Sequence, residues 1–183
     1  EEPLVNLDAL TYAASPQALA ALAGDARHTF VHGDVCDRAL IDKVLATHRP
    51  RAIVHLAAET HVDRAIADAT AFARTNTLGT LTLLQAARAH LQARPAADAT
   101  AFRFLHCSTD EVFGSLAPDE APCDEQAPYR PRNPYAASKA AADHFVSAFH
   151  VTYGLPTLVT RGSNTYGPGQ HPEKLVALAI ERI

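Results

Sequence analysis

Residues 102–111 read Phe102-Arg103-Phe104-Leu105-His106-Cys107-Ser108-Thr109-Asp110-Glu111. Phe102 to Cys107 has the length and apolar content of a buried strand. The run then stops in two hydroxyls and two adjacent carboxylates. In parallel α/β sheets, ligands sit beyond the carboxyl ends of the strands. This stretch therefore predicts both a fold class and the edge where its chemistry lies.

The same alternation extends in both directions. Upstream, Leu4–Leu7 reads as a strand ending at Asp8. Pro16–Ala23 reads as a short helix with Ser15 as N-cap and Gly24 as its stop. His28–His32 is a second strand. Asp37 caps a helix to about His48, with Leu40, Ile41, Val44 and Leu45 on one face. Arg51–Leu56 is a third strand, and a long helix is expected between about Ala69 and Ala93. Downstream, Tyr135–Tyr153 reads as a helix, Pro156–Thr160 as a fifth strand, and a last helical pattern runs on from Glu173. Strands alternating with helices at this spacing mean right-handed crossovers and a parallel sheet: an α/β, Rossmann-type doubly wound fold with helices on both faces. Polar residues close each strand, at Asp8, Asp34, Ala57-Ala58-Glu59-Thr60, Ser108–Glu111 and Ser163-Asn164. The loop from Gly114 to Arg132 is rich in Pro and acidic residues, and loops of that length are usually functional or mobile.

Composition narrows the function. The 183 residues are 48 % hydrophobic and 20 % charged, enough for a sizeable core. Sixteen basic against 20 acidic residues leave a net charge of −4, and no basic stripe offers a nucleic-acid surface. No apolar run approaches the roughly 18 residues of a membrane span. Glu1-Glu2-Pro3 does not read as a secretory leader. Cys36, Cys107 and Cys123 are scattered, which predicts reduced thiols in a cytoplasmic protein. The ten histidines are dispersed and lack H-E-x-x-H spacing, so no metal is expected.

Two constellations carry chemistry. Tyr135 and Lys139 lie four apart on one helical face, where an ammonium near the phenol would lower its pKa from about 10 and make it a usable base. Taken alone, such a pair is more often a surface feature. Thr109-Asp110-Glu111 places a hydroxyl and two carboxylates after a buried strand. Adjacent carboxyl groups divide into acid and base when their surroundings separate their pKa values. The competing reading is a helix N-terminus that favours Ser, Thr and acidic residues. Asp8, closing the first strand, suits the ribose hydroxyls of a dinucleotide. Asp34-Val35 suits hydrogen bonding to adenine, and Leu56-Ala57-Ala58 is small enough for a cofactor to lie on its backbone. The G-x-G-x-x-G turn that usually opens such a fold is not present.

Six segments together resemble the extended short-chain dehydrogenase/reductase family, and within it the sugar-nucleotide 4,6-dehydratases. They are Asp8–Ala13, His55–Arg64, Ser108–Gly114, Asn133–Lys139, Ser163–Pro168 and His171–Leu175. The Thr109-Asp110-Glu111 triplet separates the dehydratases from family epimerases. The resemblance implies NAD-dependent conversion of dTDP-glucose to its 4-keto-6-deoxy product, with UDP- or CDP-glucose, or a non-catalytic NAD-binding role, as the alternatives. It implies catalytic roles for Thr109, Asp110, Glu111, Tyr135 and Lys139. It implies NAD contacts at Asp8, Leu10, Thr11, Asp34, Val35, Leu56, Ala57, Ala58, Thr75, Tyr135 and Lys139. Thr60, Thr109, Asn164, Glu173, Lys174 and Leu175 match positions near the nucleotide sugar. Thr165 stands where many relatives carry a second Asn. The resemblance further implies a homodimer. It also implies that residues 1–183 form part of an NAD-binding domain, from its second strand onward and with most of a substrate lobe absent. The first strand normally lies between the second and fourth, so the sheet is expected to have an unfilled slot.

Overall fold

Among the described residues every strand pairing is parallel. The computed structural model describes residues 2–95 and 101–183. In chain order the elements are β1 (Leu4–Asp8), a 3₁₀ segment (Pro16–Leu22), β2 (His28–His32), α1 (Arg38–His48), β3 (Ala52–His55), α2 (Val62–Ala67), α3 (Thr70–Phe72), a π-helical segment (Ala73–Gly79), α4 (Thr80–Gln92), β4 (Arg103–Thr109), a 3₁₀ turn (Asp110–Phe113), α5 (Pro134–Tyr153), β5 (Thr157–Gly162) and α6 (Leu175–Glu181). They form two compact units, one of Glu1–Asp34 with Asn164–Ile183, the other of Val35–Ser163. The parallel α/β class expected from the alternation is what the chain adopts. The strands form two sheets, β1-β2 and β3-β4-β5, rather than one.

In the smaller unit, β1 and β2 pair from Leu4 opposite His28 to Asp8 opposite His32. The segment read as an α-helix after Ser15 is 3₁₀ instead, and the Ser15 side chain makes no cap bond. The Ala18 amide already bonds the Ser15 carbonyl at 2.9 Å, which closes a tighter turn than an α-helix would.

In the larger unit, β4 is the middle strand. Phe104 and His106 are fully buried on the face toward α5, alongside Leu84 and Val146 from the helices. On the opposite face Leu105 lies between Val54 and Leu158, which are 56 % and 52 % exposed. β4 and β5 both run two residues past their expected ends, because Ser108 and Thr109 pair with Arg161 and Gly162. β3 is shorter than expected, since its ladder stops at His55 opposite His106. Asp37 caps α1 as read, accepting from the Leu40 amide at 3.0 Å.

The single helix expected over Ala69–Ala93 is interrupted by the π segment, and α2 precedes it. Thr80 Oγ1 donates to the Asn76 carbonyl at 2.6 Å, so a side chain intercepts one bond of the helical ladder. Gly79 is needed here. A Cβ at that position would lie 2.6 Å from Val35 Cγ2. The last helix begins at Leu175 rather than Glu173, because Lys174 is in extended backbone. Among the described residues, no helix is long and apolar enough to cross a membrane.

Candidate active site

β4 delivers Thr109 in extended backbone to the mouth of the larger unit's sheet. Its hydroxyl accepts from the Glu111 amide and donates to Asp110 Oδ1, both at 3.3 Å. The two carboxylates thus leave the strand on a 3₁₀ turn whose amides need a cap, which explains the Thr-Asp-Glu order locally. Val112 is fully buried and pins the turn. Gly114 ends it at φ 87°, where a Cβ would strike the Arg130 carbonyl. The Arg130 amide bonds the Val112 carbonyl at 2.9 Å, so the long loop folds back against this turn.

Asn133 joins the turn to α5. Its Oδ1 caps the helix by accepting from the Ala136 amide at 2.7 Å, and its Nδ2 donates to Glu111 Oε2 at 2.9 Å. Proline at the next position is already set for the first helical turn. The Glu111 carboxylate is therefore fixed relative to the helix that carries Tyr135. Asp110, in contrast, is exposed.

Tyr135 is 9 % exposed and packs edge-on against Phe72, with ring centroids 6.5 Å apart. Burial pushes its phenol above the ordinary value. The Thr109 hydroxyl opposes that shift, and the Glu111 and Asp110 charges add to it. The expected lowering by Lys139 is not found. The Lys139 ammonium is 3 % exposed and donates to the Cys107 carbonyl at 2.7 Å. Desolvation there lowers Lys139 to about 8. Helical spacing put the two side chains on one face, but the backbone carbonyl of β4 takes the ammonium.

The turn after β3 is held by a residue that sequence reasoning missed. Asn76 Oδ1 accepts from the Glu59 amide at 2.8 Å, and its Nδ2 donates to the Glu59 carbonyl and to Ser138 Oγ, both at 2.9 Å. Ser138 Oγ in turn donates to the Tyr135 carbonyl at 2.7 Å. The Thr75-Asn76-Thr77 run inside a helical pattern was the available signal. Around it, Leu56 is exposed, while Ala57, Ala58, Thr60 and Thr75 are half-buried. Val35 is buried, its side chain close against Gly79.

The structure brings Thr109, Asp110, Glu111 and Tyr135 together, with Lys139 one turn deeper on α5. Asp8, Leu10, Thr11, Asp34, Asn164, Glu173, Lys174 and Leu175 belong to the smaller unit. There the exposed Asp8 carboxylate accepts from the Leu10 amide at 2.7 Å, and Leu10 takes φ 50°. Thr11 closes the following turn through its carbonyl, bonded by the Ala14 amide at 3.0 Å. Glu173 accepts from the Tyr12 hydroxyl at 3.0 Å and pairs with Lys174 at 3.8 Å. Asn164 and Leu175 are exposed.

Residues 3–183 match the model of the GDP-mannose 4,6 dehydratase family. The chain belongs to that family. Among its relatives, a dTDP-glucose 4,6-dehydratase from Xanthomonas campestris pv. campestris (strain B100) is 53 % identical over 98 % of this chain and 51 % of its own length. The Neisseria gonorrhoeae dTDP-glucose 4,6-dehydratase is 52 % identical, over 98 % of this chain and 52 % of its own. A Streptomyces venezuelae dTDP-glucose 4,6-dehydratase crystallised with NAD superposes with a TM-score of 0.87 at 46 % identity, over 99 % of this chain and 52 % of that one. The chain spans about half the length of the curated relatives it matches. The resemblance carried by the Ser108–Gly114 and Asn133–Lys139 segments is thus a family membership.

Proposed function

We propose that this family member serves NAD-dependent dehydration of a nucleotide-activated hexose, dTDP-glucose to dTDP-4-keto-6-deoxyglucose. The observation that carries the reading is the meeting of Thr109, Asp110 and Glu111 with the buried Tyr135 phenol. An epimerase needs a base at carbon 4 but no acid pair beside it. The 53 % and 52 % identities to named dTDP-glucose 4,6-dehydratases support the same substrate.

Each unit by itself offers groups of the kind a dinucleotide uses. In the smaller unit, Asp8, Leu10, Thr11 and Asp34 are our assigned contacts, Asp8 presenting an exposed carboxylate at the carboxyl end of β1. In the larger unit the contacts are Val35, Leu56, Ala57, Ala58, Thr75, Tyr135 and Lys139, the small turn residues leaving main chain accessible. NAD, when bound, supplies oxidation at sugar carbon 4 and reduction at carbon 6, and is unchanged over the turnover.

In this reading Tyr135, as the phenolate, removes the proton of the carbon-4 hydroxyl, and Thr109 hydrogen-bonds that hydroxyl. The new ketone acidifies the carbon-5 hydrogen, which Glu111 takes. Asp110 gives a proton to the carbon-6 hydroxyl, which leaves as water. Asn133 holds the Glu111 carboxylate for its step, and the exposure of Asp110 lets it exchange protons with solvent. Thr60, Asn164, Glu173, Lys174 and Leu175 are assigned to the nucleotide sugar. Residues 1–183 are taken as part of the NAD-binding domain of a cytoplasmic homodimer, as the family resemblance implies.

The test is incubation of the full-length protein with dTDP-, UDP-, CDP- and GDP-hexoses, assaying the 4-keto product. Product from dTDP-glucose at the highest rate is expected. Turnover of a different nucleotide sugar alone would reassign the substrate, and no product from any would remove the catalytic reading.

A further inference from the structure

Behind the proposed site lies a charge cluster that the mechanism above does not use. Asp143 is 2 % exposed and sits one helical turn past Lys139 on α5, so Tyr135, Lys139 and Asp143 form one stripe. Three elements converge on its carboxylate. From the long loop, the Tyr129 hydroxyl donates to Oδ2 at 2.7 Å. From β5, Arg161 Nε approaches the same oxygen at 3.1 Å and the Tyr129 hydroxyl at 2.7 Å. From β4, His106 Nε2 lies 3.3 Å from Oδ1.

We propose that Asp143 is a positioning residue for the Tyr135–Lys139 pair, supplying the buried negative charge that balances the Lys139 ammonium and keeps it seated on the Cys107 carbonyl. This rests on the proposed role of Tyr135 and Lys139.

A buried ammonium without a counter-charge gives up its proton. Two histidines on the neighbouring strands face this cluster, and burial disfavours the charged form of each. Desolvation holds His55, on β3, down to about 3. Desolvation also lowers His106, despite the opposing pull of Asp143. Burial works against the Asp143 carboxylate, but His106, Tyr129 and Ser108 outweigh it and keep the carboxyl below its ordinary range. Arg161 is the second cation on the same carboxylate. The other group acting on Lys139 is Cys107, whose charged form works in the same direction as Asp143. Asp143 also ties β5 and the long loop to the helix that bears the proposed base, so one carboxylate sets both the charge and the seat of Lys139.

The experiment reads Lys139 itself, in full-length protein labelled with carbon-13 at the lysine ε-carbon and without substrate. Its resonance is identified by loss in Lys139→Met. The expected midpoint is near 8. Asp143→Asn is expected to lower it by roughly one pH unit or more. Tyr129→Phe, which removes a hydrogen bond and no charge, is expected to leave it within about 0.3 of a unit. Arg161→Gln removes the competing cation and is expected to raise it, which decides the matter if Asp143→Asn does not fold. An unchanged midpoint in Asp143→Asn, or an unchanged or lowered one in Arg161→Gln, would overturn the proposal. Because no turnover is measured, this result stands apart from the dehydratase assay. In that assay, an active parent enzyme should show the alkaline limb of its pH profile moved acidward in Asp143→Asn.

Discussion

Replacing Asn76 by alanine tests how the turn after β3 is held. Asn76 is 1 % exposed and makes three side-chain hydrogen bonds of 2.8, 2.9 and 2.9 Å. Two go to the main chain of Glu59 and one to Ser138. A typical hydrogen bond contributes about 1 kcal/mol net, and a buried group left unsatisfied costs roughly 1–3 kcal/mol. Glu59 is half-buried, so water recovers part of that loss, and Ser138 keeps its bond to the Tyr135 carbonyl. The sum is a destabilisation of about 3 kcal/mol. Equilibrium urea denaturation of the full-length protein measures it. If the proposed contacts are right, NAD affinity falls in step, since Leu56-Ala57-Ala58 precede the loosened residue. A loss of under about 1 kcal/mol would show that the three bonds do not hold the turn, and the reasoning would fail.

Three further outcomes are expected. Tyr135→Phe in the full-length protein should lower turnover by about 10²–10⁴, the usual cost of a lost general base, with folding intact; wild-type turnover would remove Tyr135 from the mechanism. Glu111→Gln should keep oxidation at carbon 4 but abolish carbon-5 exchange in heavy water, so reduced cofactor should accumulate with sugar present; exchange at the parent rate refutes the base role. The third concerns acid. His55 is held at about 3 in the folded chain by burial first, then by His106 and Lys139. Its unfolded value is near 6.5, so the unfolded state binds the extra proton between those limits. The stability it contributes is complete above about pH 6.5 and is lost as pH falls toward 3, at about 1.4 kcal/mol per pH unit. His55→Gln should flatten that slope in acid denaturation, and an unchanged slope would rule His55 out as its source.

Much of the site was legible because local chemistry writes it. Thr109 caps its own turn and Asn133 caps α5, and both requirements hold whatever surrounds them. The parallel α/β class followed from strand-length runs alternating with helical periods. The errors came where another part of the chain intervened. The helix expected over 69–93 carries a π segment because Thr80 takes the Asn76 carbonyl and because Gly79 must meet Val35. Ser15 makes no cap because its own carbonyl closes a 3₁₀ turn. Asn76 was overlooked because its partners, Glu59 and Ser138, are 17 and 62 residues away.

Tyr135 and Lys139 mark the boundary between the two kinds of information. Their spacing alone determined that they share a helical face, since 3.6 residues per turn leaves no other choice. It also suggested that the ammonium would lower the phenol's pKa, and that inference does not survive packing. A side chain's charge state depends on everything within a few ångströms, and those neighbours are brought in by β4, β5 and the long loop. The Cys107 carbonyl takes the ammonium, the Asp110 and Glu111 charges press on the phenol, and burial raises one group while lowering the other. Periodicity is a local property that sequence determines. Desolvation and charge balance sum over the whole fold, so only tertiary structure decides them.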